Sequence, residues 1–346
     1  MIYNASSIVS ANTQQIDAID YYVKEVASGY DELIFETSVR SPAAQIIMEE
    51  QPMIERSNAI RANRYLVKSI DHGKSTVTVK CQVDLDAWKQ DFYTSFVPTP
   101  PSGSSRVSPQ NIVLEIMPAG WSFFPGSMPI FGTLPPSVVA MENVTPLEIL
   151  DGLRDLYPGL TYRFYALEKM IHLTRASSGI NQGMFVSLDQ NLRATYYKGK
   201  STSLITRLYA TGKDGLTFAS INDGKPYVDS TAYKSGAIIS GYWEATEYTD
   251  AADLLAATQA RLATLSVPER SFDIDLAVQD IMQFPLFGVV RISDDTIPPF
   301  MDQDVTIRVA ERWVHPDHPQ NNKVILSTSP ARIQQQVASL IKSMGV

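Results

Sequence analysis

The chain has 346 residues, enough for two or three domains at ~100–200 residues each. Hydrophobic residues make up 44% and charged residues 19%, so apolar surface is ample and a disordered or supercharged chain is excluded. Lys plus Arg number 29 against 37 Asp plus Glu; the net charge of −8 argues against gripping phosphate backbones.

One cysteine, Cys81, excludes an intrachain disulfide framework and a multi-thiolate metal site. No apolar run approaches the ~20 residues that span a bilayer, so no stable membrane insertion is expected. The N-terminus, MIYNASSIVSANTQQ, lacks a charged start followed by an apolar stretch and does not read as a secretion signal.

In chain order, the first elements read as β. Tyr30–Thr37 is rich in aromatic and branched residues, and Arg64–Asp71 predicts a second strand. His72-Gly73-Lys74 turns the chain into Ser75–Leu85, where Val77, Val79, Cys81 and Val83 share one face. Period-two alternation about a Gly-centred turn predicts a half-buried hairpin with Cys81 as a small core residue. Val97–Pro109 has Pro, Ser and Gly at most positions and predicts a linker or exposed loop. A second Pro-rich stretch, Pro118–Pro136, carries Trp121, Phe123, Phe124 and Phe131, which predicts a loop pinned by buried rings; a ligand platform is the alternative. Thr145 and Pro146 then suit the N-cap and first position of a helix that ends at Pro158-Gly159. Leu160–Leu173 reads as a strand pair, and Thr249 or Asp250 caps a helix over Ala251–Leu265. Four strands follow, the last two pairing around HPDHPQNN, and the segment PARIQQQVASLIKSMGV predicts a final amphipathic helix.

Catalytic patterns fail one by one. Gly-Lys-Ser-Thr occurs at Gly73–Thr76 and Gly199–Thr202, but a phosphate-cradling loop needs a glycine five residues earlier, where Lys68 and Ala194 stand; both read as turns. His315-Pro-Asp-His318 resembles a metal cluster yet has no third strong ligand nearby. Cys81 faces inward from mid-strand, unlike an activated thiolate. The pair Asp273 and Asp275 shares a strand face, a weak glycosidase signal. Four histidines leave little general-base capacity. No enzyme, cofactor or metal site is expected from these residues.

Leu173–Asp229 differs in kind. It contains Gly183, Asn191-Leu192, the run Leu204–Tyr209, then Gly212-Lys213-Asp214-Gly215-Leu216-Thr217, Ile221-Asn222-Asp223-Gly224-Lys225 and Pro226-Tyr227-Val228. This segment resembles the phage minor structural protein family of Gram-positive phages and prophages, also called the tail endopeptidase or tail-associated lysin family. That family shares the hub fold of contractile baseplates. Asp31–Thr37 with Gln51–Asp71, the helix at Thr145–Gly159, and the C-terminal strands are similar to its flanking parts. Read from its own residues, the motif predicts a β-meander with positive-φ turns at Gly212, Gly215 and Gly224. Arg207, between apolar neighbours, is expected in a structural ion pair or subunit contact.

The resemblance implies a mostly β, α+β multidomain hub. Two similar β-barrel-like ring domains would span residues 1–97 and 190–248; two smaller peripheral α+β domains would span 98–189 and 249–346. It implies a homotrimer that forms a pseudo-sixfold ring and adapts the sixfold tail tube or distal tail protein to a threefold tip. It also implies contact with the tape measure protein and with receptor-binding proteins, and a location in the virion tail after assembly in the bacterial cytoplasm. DNA would pass without specific binding; in that setting a lumen of Asp and Glu would repel it, the alternative being that most of these carboxylates serve solubility at the surface. Longer members carry peptidoglycan-cleaving or carbohydrate-binding regions beyond the last helix; the sequence ends at Val346, so their peptidase activity is not carried over. A cell-wall hydrolase, and a receptor or saccharide binder using Trp121, Phe123, Phe124 and Phe131, are the alternative readings.

Overall fold

The computed structural model describes residues 2–4, 14–27, 29–56, 62–126, 131–157, 159–175, 185–187, 192–200, 204–230, 238–266, 269–276, 281, 284–293 and 307–327. The N-terminal part is antiparallel: β1 (Ile2–Asn4), β2 (Gln14–Ile16), β3 (Ala18–Val26), β4 (Glu32–Ser38), β5 (Pro52–Glu55), β6 (Asn63–His72) and β7 (Thr76–Val83). The expected hairpin is β6–β7, closed where the Gly73 amide donates to the Thr76 carbonyl at 2.8 Å. Val77, Val79, Cys81 and Val83 are all buried, as the alternation requires.

A helical and short-stranded region follows: β8 (Tyr93–Phe96), α1 (Pro109–Ile116), β9 (Ser122–Phe123), α2 (Pro136–Val139), β10 (Met141–Val144), α3 (Pro146–Leu156), β11 (Leu160–Tyr165) and β12 (Met170–Arg175). Helix α3 begins as its sequence dictates. The Glu148 amide donates to Thr145 Oγ1, the Glu148 carboxylate accepts from the Thr145 amide at 2.7 Å, and Pro146 occupies the first turn, where no amide is needed. Helix α1 was not anticipated, although Ser108 caps it in the same way with Pro109 at its start.

The remainder comprises β13 (Phe185–Ser187), β14 (Leu192–Lys200), β15 (Arg207–Thr211), β16 (Tyr227–Asp229), β17 (Ser240–Glu244), α4 (Ala251–Leu265), β18 (Glu269–Leu276), β19 (Val289–Ser293), β20 (Ile307–Val314) and β21 (Lys323–Ser327). Asp250 caps α4, accepting from the Ala252 and Asp253 amides at 2.9 and 3.0 Å. The expected pairing of the last two strands is β20–β21. The predicted helix after Ser327 lies outside the described residues.

The two expected barrel-like ring domains are not present. A single 13-stranded sheet runs in the order β14-β18-β21-β20-β3-β4-β7-β6-β5-β1-β2, with β19 branching from β20 and pairing β13. Among the described residues no sheet closes on itself. Closure of the first seven strands needs the outer edge of β3, and β20 takes that edge instead, with Val23–Val26 opposite Glu311–Val314. In the second interval, β15, β16 and β17 form a separate three-stranded sheet, too small to close, and β14 belongs to the large sheet. The fold is mostly β, multidomain and α+β, with open sheets.

One apolar core joins the inner face of the large sheet, through Leu33, Phe35, Val67, Val79 and Trp88, to Ile112, Ile149, Leu153, Phe164 and Ile171 of the helical region. A second, smaller core of Ala210, Phe218, Ala245, Tyr248 and Leu254 lies under β15 against α4.

Candidate functional site

The motif that singled out Leu173–Asp229 converges on the sheet β16-β15-β17. Along β15, Leu208 and Ala210 are buried toward α4 while Arg207, Tyr209 and Thr211 face outward. Strand β16 pairs β15 antiparallel and β17 pairs it parallel, so β15 is central. The expected meander is therefore incorrect: β17 returns by a long connection to the far side of β15 rather than following β16.

Arg207 makes the expected ion pair. Its Nε and Nη2 donate to the two Asp229 carboxylate oxygens at 2.6 and 2.8 Å, and its guanidinium lies 3.9 Å from the Tyr227 ring centre. The hydrogen bond from Arg207 holds the Asp229 carboxyl below its ordinary range. Asp229 is half exposed, so water screens the pair and it fixes local geometry more than it stabilises the fold.

The three glycines divide. Gly215 and Gly224 have φ of +79° and +76°, as expected of positive-φ turns. Gly212 does not; its φ is −86°. Its requirement is space, since a Cβ there would lie 2.7 Å from the Tyr248 carbonyl oxygen. Gly212→Ala is expected to lower stability by about 1–3 kcal/mol, because backbone and not a flexible side chain must move. Urea denaturation would check this, and a change under about 0.5 kcal/mol would contradict the close approach.

The remaining sequence candidates are accounted for by structure. Cys81 is buried among apolar neighbours, and burial pushes its thiol far up, away from the reactive thiolate. His315 is buried and stacks on Tyr22 at 4.8 Å, with Nδ1 3.7 Å from Asp20 Oδ1; burial lowers its pKa. Among the described residues, no group of three His, Cys, Asp or Glu could hold a metal ion. Gly73–Thr76 is the β6–β7 turn, whereas Gly199 and Lys200 lie in β14 and are not a turn. Asp273 and Asp275 lie two apart on β18, opposite Ile325 and Lys323 of β21. Among the described residues no helix is long and apolar enough to cross a membrane.

The Pro118–Pro136 aromatics are pinned, as expected. Trp121 meets Trp88 and Phe164 edge-on at 5.4 and 5.9 Å, Phe124 stacks on Tyr165 at 5.0 Å, and Phe123 and Phe131 pack against the main core. Sequence reasoning missed a buried charge network. Arg163 on β11 pairs with Glu25 on β3 and, at 2.8 Å, with Asp31; Arg312 on β20 pairs with the other Glu25 oxygen. Four charges from three distant stretches meet there, and no local pattern announces them.

Residues 181–337 match the model of a family described as prophage endopeptidase tail. The fold is similar to solved structures of tail proteins. The prophage tail protein gp18 from Listeria monocytogenes EGD-e aligns with a TM-score of 0.65 at 13% identity, over 99% of each chain. The 43 kDa tail protein of prophage MuSo2 from Shewanella oneidensis aligns with a TM-score of 0.61 at 13% identity, over 95% of this chain and 98% of that one. A tail protein from Neisseria meningitidis MC58 aligns with a TM-score of 0.58 at 8% identity, over 92% and 94%. No curated protein matches the sequence. The family match covers under half of the chain, and the three solved tail proteins share its fold.

Proposed function

We propose that the chain is a hub at the distal end of a phage or prophage tail. It works as a homotrimeric adaptor between the sixfold tail tube or distal tail protein and a threefold tip. The observation that carries this is the end-to-end correspondence with the Listeria prophage tail protein, joined to the family match over residues 181–337. The divisions 1–97, 98–189, 190–248 and 249–346 are proposed as its working parts, the first ending where Val97–Ser108 leaves regular structure. Its neighbours are the distal tail protein, the tail tube and the tape measure protein, with receptor-binding proteins attached outside. Its acidic balance suits a channel through which DNA passes without sticking. The open sheet supports assembly through strand edges and exposed faces rather than through closed rings of barrels.

Light scattering on the purified chain, alone and with the distal tail protein, tests the reading. The expected result is a mass of three chains, at least when the partner is present, since a ring stabilised by a neighbour forms by mass action. A mass of one chain under both conditions would reject the trimer. Clearing of purified peptidoglycan by the chain alone would favour the hydrolase instead.

A further inference from the structure

The solvent face of β16-β15-β17 carries an aromatic row. Tyr227 opposes Tyr209, and Tyr209 opposes Tyr242, so three tyrosines lie side by side across three strands. At ~4.8 Å per strand the row spans ~10 Å, about the length of two linked pyranose rings. One step along the strands, Asp229, Arg207 and Ser240 form a polar row; on the other side stand Thr211 and Glu244. A groove of about 380 Å³ runs here, lined by Tyr209, Thr211, Thr217, Pro226, Ser240 and Tyr242. Tyr242 is 66% exposed, an uncommon position for so large a ring.

We propose that this groove binds a neutral oligosaccharide. The apolar face of a pyranose stacks on the Tyr209 and Tyr242 rings, while Arg207 already lies over Tyr227. Sugar hydroxyls both donate and accept. The Arg207–Asp229 pair offers donors and acceptors side by side with no net charge, Ser240 and Thr211 add hydroxyls, and Glu244 leaves the rim with a negative charge that disfavours an anion. Tyrosine is also enriched where proteins meet, and the self-association outcome of the test below separates a protein contact from a sugar site. The site is independent of the oligomeric state proposed above.

The test uses the full chain, titrated calorimetrically with cellotetraose, maltotetraose and a β1,4-linked N-acetylglucosamine tetramer. Saturable binding of at least one is expected, with Kd near ~1 mM or tighter. Tyr242→Ala should weaken it roughly tenfold with unchanged circular dichroism and melting, while Tyr242→Phe, which keeps the ring, should retain it within about threefold. Three results would overturn the site: no saturable binding of any of the three sugars, binding indifferent to Tyr242→Ala, or a self-association lost in Tyr242→Ala without sugar binding, which marks a protein contact.

Discussion

Glu25→Ala is expected to destabilise the protein by about 3–5 kcal/mol, because it leaves a buried cation without its carboxylate. The side chains of Glu25 and Arg312 are only 3% and 4% exposed, so water does not replace the lost partner. Arg163 keeps Asp31, whose Oδ1 also accepts from the Val26 amide at 3.2 Å, but Arg312 loses its ion pair. The network is costly as well as binding. Burial pushes the Asp31 carboxyl up while Arg163 pulls it back, and burial wins. A carboxyl whose folded pKa is raised favours folding while protonated and loses that advantage as pH rises through the folded value, so the contribution of Asp31 to stability falls as pH rises. It follows that Glu25→Met with Arg312→Met, which removes anion and cation together, should recover much of the loss. Urea denaturation of the two variants decides it: a single variant within 1 kcal/mol of the parent, or a double variant no better than the single, would contradict the account. The energetic stake is structural. These residues tie β3, β11 and β20 together, and with them the N-terminal, central and C-terminal parts of the chain.

Trp88→Ala should cost about 3–5 kcal/mol, the usual range for deleting a fully buried large ring. Trp88 is 0% exposed and meets Trp121 and Phe164 edge-on, both at 5.4 Å or close to it. It sits in a helical turn, Asp86–Lys89, after β7 and faces the Pro-rich loop and β11, so the cavity would open between the large sheet and the helical region. Among the described residues its indole Nε1 has no hydrogen-bond partner. Trp88→Phe therefore deletes no polar contact, keeps most of the ring, and should cost under about 2 kcal/mol. Thermal denaturation of both variants would separate ring volume from polarity. A Phe variant as unstable as the Ala variant would point to a polar role for the indole.

The readable elements share a physical property: their signals act over a few residues. The Thr145–Glu148 box, the Asp250 cap and the Gly73 turn each satisfy backbone groups within one turn, and each stands where the sequence puts it. Strand β3 was harder to see. Its buried face includes Glu25 beside Tyr21 and Val23, and a carboxylate at a core position hides the period-two pattern. Its reason for burial is Arg312, contributed by β20. At the candidate surface, Arg207 and two of the three turn glycines were legible from spacing. The tyrosine row was not, because β15 and β17 are brought into parallel register by a long connection that no local pattern specifies.

By itself, the sequence determined the buried stripe of β7, the starts of α3 and α4, the anchoring of the aromatic loop and the resemblance of its 181–337 segment to a prophage tail family, all set by local geometry or by a contiguous motif. Whether the strands closed into barrels was decided only in three dimensions. Each strand has two edges and can satisfy either from any part of the chain; β3 gave its outer edge to β20, and that one pairing opened the sheet while bringing Glu25 to Arg312.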